Sequence, residues 1–218
     1  MIRSRLLRPT VVALILGLVV LSGCSSGKST TATVGSKAAN PNIVPKDLRR
    51  TIFARLPANY IEEPVGSDAD GPLGLPATAE AVDDQETAAE EAVLQQYGFR
   101  SAYQRTWIVK GTGEVLIIRV QVMGSPKQAL DYFNLMTFDG RISSQVTAFP
   151  TPRLADASGF TRSFTATNGS QVSQDINLER GRLFYHLIFS GPQGSISPSD
   201  VLKIAGSQST EAASLGYT

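Results

Sequence analysis

Three extended runs, Gly159 to Thr167, Gln171 to Glu179 and Arg182 to Ser190, follow one another with only Asn168-Gly169 and Arg180-Gly181 as the turns between them. Connections that short cannot return a chain to a parallel neighbour, because parallel pairing needs a crossover of a dozen or more residues. The three runs must therefore form an antiparallel meander. A matching signal stands earlier. Phe99, Tyr103, Trp107 and Val109 fall on one side of an extended run, Lys110-Gly111-Thr112-Gly113 reverses it, and Glu114 to Met123 returns with Val115-Leu116-Ile117-Ile118 at its centre. That is a hairpin. With a further extended segment near Ile142 to Phe149, the pattern predicts a sheet of about six strands.

Helices are expected between these strands. Asp83 or Asp84 is placed to cap a helix that runs to Tyr97 and stops at Gly98. Its acids Glu86, Glu90 and Glu91 lie near the positive end of the helix dipole. Ser125-Pro126 opens a second helix, since the hydroxyl can take up free amides and proline lacks only an N–H that would go unpaired there. Ala129, Leu130, Phe133 and Met136 are its expected apolar stripe. Ser197-Pro198-Ser199-Asp200 repeats the device for a last helix, with Val201, Leu202 and Ala205 turned inward. Ahead of these elements, Pro57 to Tyr60 and Gly71 to Pro76 read as irregular, partly extended chain. The expected fold class is α+β, an antiparallel sheet covered by helices.

The N-terminal residues carry a different message. Arg3, Arg5 and Arg8 precede an apolar run from Val11 to Leu21, broken only by Gly17. At about 1.5 Å per residue such a helix falls well short of roughly 30 Å of bilayer hydrocarbon, so it suits a signal-peptide core better than a permanent span. The lack of an adjacent Arg-Arg pair favours the general secretory route over the twin-arginine one. The run ends in Leu21-Ser22-Gly23-Cys24, followed by Ser25, Ser26 and Gly27. This resembles the bacterial lipobox, in which a dedicated peptidase cuts just before an obligatory cysteine. The one Cys of the chain stands where that motif requires it. The resemblance implies lipidation of Cys24, with a diacylglycerol thioether and a further acyl chain on the freed amine. Each buried methylene contributes about 0.8 kcal/mol, so two or three chains hold a protein at a membrane where one does not.

The organisation that follows is a signal peptide over 1–23, a flexible tether over 24–48, a single α+β domain over 49–210 and a tail over 211–218. Ser25 to Asn42 is mostly Ser, Thr, Ala, Gly and Asn, too poor in large apolar groups to fold. Between Lys28 and Arg55 the bases Lys28, Lys37, Lys46, Arg49, Arg50 and Arg55 face only Asp47, a stripe suited to anionic headgroups or simply to solvation. From Glu62 to Glu91 the sign reverses, with ten acids and no Lys or Arg. Asp68, Asp70 and Gly71 begin a calcium-loop pattern that Pro72, Leu73 and Leu75 do not continue. That stretch is read as a solvated acidic face.

Composition excludes several functions. A formal charge of +1 over 218 residues argues against a general nucleic-acid binder. One Cys and one His cannot supply the ligands of a structural zinc site or a disulfide framework. No Gly-x-Ser-x-Gly elbow lies in the folded part. His186, inside Leu183-Phe184-Tyr185-His186-Leu187-Ile188-Phe189, is read as hydrogen-bonded scaffold, and Asp131, Asp139, Asp156 and Asp175 as solvated polar positions. Arg100, Tyr103, Arg105 and Trp107 are the candidate ligand contacts, because a guanidinium beside aromatic rings can stack on a ligand or carboxylate.

A second resemblance rests on Gly98-Phe99-Arg100, Tyr103, Arg105 and Trp107, then Ser125-Pro126 with Ala129 and Tyr132-Phe133, Ala157-Ser158-Gly159-Phe160, Arg180-Gly181-Arg182 and Gly191-Pro192. The series is similar to a group of secreted actinobacterial lipoproteins of unknown function, whose layout resembles the PsbP-like α/β/α sandwich. That likeness implies binding rather than a shared chemistry. The expectation is therefore a lipid-anchored module on the extracytoplasmic face of the cell membrane, without catalysis, cofactor or metal. Its partner would be an envelope protein, a glycan or an apolar ligand. The alternative is an envelope hydrolase whose acid pair, or a His186-assisted site, assembles only in space.

Overall fold

In each hairpin of this chain the alternation of a pleated strand sends successive side chains to opposite faces, and the two faces differ sharply in chemistry. The computed structural model describes residues 47–52, 56–142, 146–166 and 169–216. Among these residues eight strands form one open antiparallel sheet. They are β1 (Tyr60–Glu62), β2 (Gly71–Leu73), β3 (Ser101–Val109), β4 (Val115–Val122), β5 (Val146–Phe149), β6 (Ala157–Ala166), β7 (Gly169–Arg180) and β8 (Leu183–Pro192). The order across the sheet is β1-β3-β4-β8-β7-β6-β5, with β2 also pairing with β3. Four helices complete the fold: α1 (Leu75–Val82), α2 (Thr87–Gln96), α3 (Pro126–Ile142) and α4 (Pro198–Ser214).

The meander and the central hairpin stand as expected. Val109 and Glu114 close the β3–β4 turn through a 2.8 Å backbone bond, with Gly111 and Gly113 in the left-handed region. Between β7 and β8 the loop residues are Gly181 and Arg182, because Arg180 still pairs with Leu183. Asn168 of the other turn lies outside the described residues, as do Cys24, the signal peptide and nearly all of the tether.

Elsewhere the sequence expectation is corrected. The sheet has eight strands, not about six, since two parts of the segment read as irregular add to the outer edge of β3. Tyr60–Glu62 pairs with Trp107 to Val109, and Gly71–Leu73 with Ala102 to Gln104. The helix expected to run to Tyr97 forms as α2, and a helix that was not expected, α1, precedes it, with Pro76 in its first turn, where its fixed φ is favourable. Asp83 then accepts the amides of Gln85 and Glu86 at 2.9 and 3.1 Å, breaking the chain before α2. In α3 the inward residues are Ala129, Tyr132 and Phe133, whereas Leu130 is 42% exposed. Ser125 caps α3 by accepting the Gln128 amide. Ser197 at α4 makes no such cap and its hydroxyl meets that of Ser199 instead. The last helix continues to Ser214 and buries Ala212, so the fold extends past residue 210.

One sheet face carries the main core. Successive rows across β4, β8 and β7 read Ile118, Leu187, Ile176 and then Val120, Tyr185, Leu178. Val201, Ile204, Ala205 and Ala212 of α4 and Ile52 of the leading segment pack on them. The Gln208 amide of α4 donates to the carbonyl of Thr51 at 2.7 Å, tying that segment to the helix. The opposite face receives α1, α2 and α3, whose Ala79, Leu94, Ala129, Tyr132 and Phe133 gather on Phe184.

The leading segment is held by charge as well. Glu62 of β1 accepts from both Arg49 and Arg105, and Arg105 also donates to the carbonyl of Ile52 at 3.1 Å. Asp70, fully buried just before β2, accepts the Tyr103 hydroxyl at 2.9 Å and lies 3.5 and 3.6 Å from the Nε atoms of Arg49 and Arg105. Asp70 therefore departs from the solvated acidic face expected of its stretch. Removing one partner from a buried charge network leaves the others uncompensated, at a cost of several kcal/mol. Asp70→Asn is expected to lower the urea-unfolding free energy by about 3 kcal/mol, while Asp68→Asn on the exposed neighbour changes it by less than about 0.5 kcal/mol.

Candidate functional site

On the face opposite the main core, the row that crosses β3, β4, β8, β7 and β6 is Gln104, Arg119, His186, Asn177 and Ser158. Five polar side chains in register on a covered face are unusual, because each must find a partner or lose solvation. Arg119 is 2% exposed. Its guanidinium donates to the Gln104 side-chain oxygen at 3.2 and 2.9 Å and to the carbonyl of Ala81 at 3.1 Å, all of them neutral acceptors. Burial pulls its pKa down to about 10. At the far end, the Ser158 hydroxyl meets Thr137 of α3 at 2.9 Å.

The middle of the row borders a cleft. His186 and Asn177 floor a cleft of about 230 Å³ between the sheet, α3 and the α1–α2 connection. Asn177 is 3% exposed and its Oδ1 has no partner, nor has Nδ1 of His186. Burial, with Arg119 and Arg162 adding to it, pushes the His186 imidazole down to about 3, so it is neutral at ordinary pH. Around this floor stand Asp175 and Arg162 from β7 and β6, Glu90 and Asp83 from the α2 side, and Asp139 from α3. Phe160, Met136, Val146 and Val82 supply the apolar wall.

The carboxylates are held in place. Glu90 accepts the Tyr132 hydroxyl at 3.1 Å, and Asp175 accepts that of Ser173. Burial raises both carboxyl pKa values. For Glu90 the Tyr132 bond opposes the rise and nearby Asp83 and Asp139 add to it. For Asp175 the Ser173 bond and Arg162 oppose it. The Tyr132 phenol is pushed well up by burial and by Glu90. Gly140 of α3 lies against the Phe160 ring so closely that a Cβ would fall 2.7 Å from it, which lets helix and strand approach at the cleft wall.

The residues singled out from sequence go elsewhere. Tyr103, Arg105 and Trp107 come together, but on the other sheet face: Arg105 stacks 4.7 Å over the Trp107 ring and joins the Glu62 and Asp70 network, and both Arg105 and Trp107 are 2% exposed. Neither offers a surface to a ligand here. Arg100 is exposed beyond α2. His186 has no hydrogen bond at Nδ1 and lines the cleft, and Asp175 is a cleft wall rather than a solvated position. Arg119 and Asn177 were missed. Their signal was two-dimensional: Arg119 interrupts the apolar run of β4 and Asn177 stands between Ile176 and Leu178, and only the register aligns the two.

Among the described residues no three His, Cys, Asp or Glu side chains are grouped to hold a metal ion, and no helix is long and apolar enough to cross a membrane. The class these features define is an α+β domain with an open antiparallel sheet and a polar-floored cleft. No family model matches the chain. No curated protein matches it. Among solved structures it is similar to the extracellular domain of PknH from Mycobacterium tuberculosis, with a TM-score of 0.43 and 9% identity over 58% of this chain and 69% of that one.

The unfolded imidazole takes a proton below about pH 6.5 while the folded one stays neutral to about 3. The stability it contributes is therefore whole above pH 6.5 and lost as pH falls through that window. Glu90, Asp175 and Glu179, the last pushed up to about 7 by burial and Asp156, act with the opposite sign. They are common to wild type and variant. Wild-type Tm is expected to fall more than that of His186→Gln between pH 7 and pH 5, a difference that melting curves at the two pH values read directly. Gly140→Ala, which in an open helix adds about 1 kcal/mol, should instead destabilise by about 1–3 kcal/mol. Adding Phe160→Leu should return part of that loss in a urea titration.

Proposed function

We propose that this chain is a lipid-anchored, extracytoplasmic binding module whose ligand enters the polar-floored cleft. The observation that carries the reading is the pair of buried, unpartnered acceptor-capable atoms, Asn177 Oδ1 and His186 Nδ1, at the floor of an open cleft. Leaving such an atom unpaired costs about 1–3 kcal/mol, and features that lower stability concentrate where a protein works. The acid–base character of the floor supports binding over turnover. An imidazole held near 3 is a weak base at neutral pH, and Arg119 near 10 stays charged.

The anchor belongs to the same proposal and rests on sequence: the arginine-flanked apolar run ending at the chain's lone cysteine, Cys24. The module would be held at the cell membrane by acyl chains on that sulfur, after cleavage before it. The hydrolase reading is favoured by one observation, the raised carboxyl pKa values of Glu90 and Asp175 in the cleft that holds His186. Turnover of chromogenic glycosides or esters by the purified protein, abolished by Glu90→Gln or Asp175→Asn, would replace binding with catalysis.

The anchor has its own test. Cells expressing the full chain and fed an alkyne-bearing palmitate should yield labelled protein in the membrane fraction, with Cys24 as the mature N-terminus by mass spectrometry. Cys24→Ser should lose the label and the membrane association. A mature wild-type chain that carries no acyl group refutes the anchor.

A further inference from the structure

We propose that the cleft takes a small organic cation, an ammonium group on a short apolar stem. This rests on the reading of the cleft as a binding site and adds the class of ligand. Charge comes first: four carboxylates, Asp83, Glu90, Asp139 and Asp175, line the cleft against the guanidinium of Arg162, and they outnumber it even with the buried Arg119 counted beside His186. Acidic side chains alone would not make a site, since they also serve as solvated surface. The independent observation lies at the floor, where Asn177 is 3% exposed with Oδ1 unpartnered, beside the unpartnered Nδ1 of His186. An amide oxygen and ionised carboxylates only accept hydrogen bonds. The ligand that completes them is therefore a donor, and an ammonium brings three donors and the complementary charge.

Shape narrows the class. The carboxylates stand apart on the α1–α2 connection, α2, α3 and β7 and are not grouped to share a metal ion, so the cation must be extended rather than a bare point charge. Glu90 is oriented by Tyr132, and Asp83 by the amides of Gln85 and Glu86. Phe160 and Met136 provide the apolar strip for a short methylene stem. A volume of about 230 Å³ is below the roughly 300–1,000 Å³ of drug-sized pockets, which suits a short-chain amine.

The chain contains a single histidine, so its imidazole resonances report on the cleft in the unaltered protein. The full chain, purified in detergent, is titrated with 1,4-diaminobutane, with butyrate and with glucose at 0.15 M salt, and followed by imidazole NMR and calorimetry. The expected result is a saturable shift of the His186 signals by the diamine and by neither of the others. Glu90→Gln and Asp175→Asn should weaken diamine binding at least tenfold, and Asp68→Asn should leave it unchanged. A shift produced by butyrate or glucose but not by the diamine overturns the cation and leaves the cleft as a binding site. Heat from the diamine without an imidazole shift, or binding indifferent to both cleft substitutions, also overturns the cation. Silence of the imidazole toward all three probes overturns both the cation and the cleft reading.

Discussion

Asp70 is buried to the last atom, and the leading part of the fold is arranged around it. The Tyr103 hydroxyl donates to it, and the guanidinium groups of Arg49 and Arg105 approach it while sharing Glu62. These four charged groups come from the helical turn at Leu48–Thr51, from β1, from the chain before β2 and from β3. Opposite charges attract strongly where water is excluded, but each also loses hydration, so the network holds only if every member is present. Because they are complete, the two short strands can lie on β3, and an edge that would otherwise offer unpaired backbone is covered. Three-residue strands have little cohesion of their own; the ion pairs supply it.

With that edge closed, the sheet divides its labour between faces. Alternation sends Ile118, Val120, Leu187, Ile176 and Leu178 one way, where α4 covers them, and sends Arg119, His186, Asn177 and Asp175 the other. The first face contributes the burial that stabilises the fold. The second is covered at one end by Phe184 and the helices that gather on it, and further along it holds the polar row. Such a row specifies register, since a shift by one residue would bury these groups among aliphatic side chains. It is satisfied at its ends by Gln104 and Thr137 and left incomplete in the middle.

Much of the fold was legible because it rests on local rules. The Gly111 and Gly113 turn, the meander and the Ser125 cap each depend on a few neighbouring residues. The two edge strands were illegible for the opposite reason: Tyr60–Glu62 and Gly71–Leu73 have no alternation long enough to read, and their pairing comes from charges distant in sequence. The site was illegible too. Arg105 and Trp107 drew attention as a cation beside a ring, which is the pattern that a buried structural pair also makes. Asn177 and Arg119 drew none, because a polar residue in a strand reads as solvent-facing until the register sets it beside others.

The floor of the cleft has a further property that follows from its pKa values. Arg119 keeps its proton up to about 10 and His186 stays without one down to about 3, so across the intervening range the floor carries a constant charge. His186 owes this to burial, with the positive Arg119 and Arg162 adding to the effect, whereas burial lowers Arg119 from its usual range and still leaves it protonated. The electrostatics of the cleft are then governed by the carboxylates on its walls, Glu90 and Asp175 among them. Burial raises the pKa values of both, while the hydroxyls of Tyr132 and Ser173 oppose the rise. A cavity built this way changes its attraction for a cation through its walls alone, with the hydrogen-bonding floor beneath unaltered.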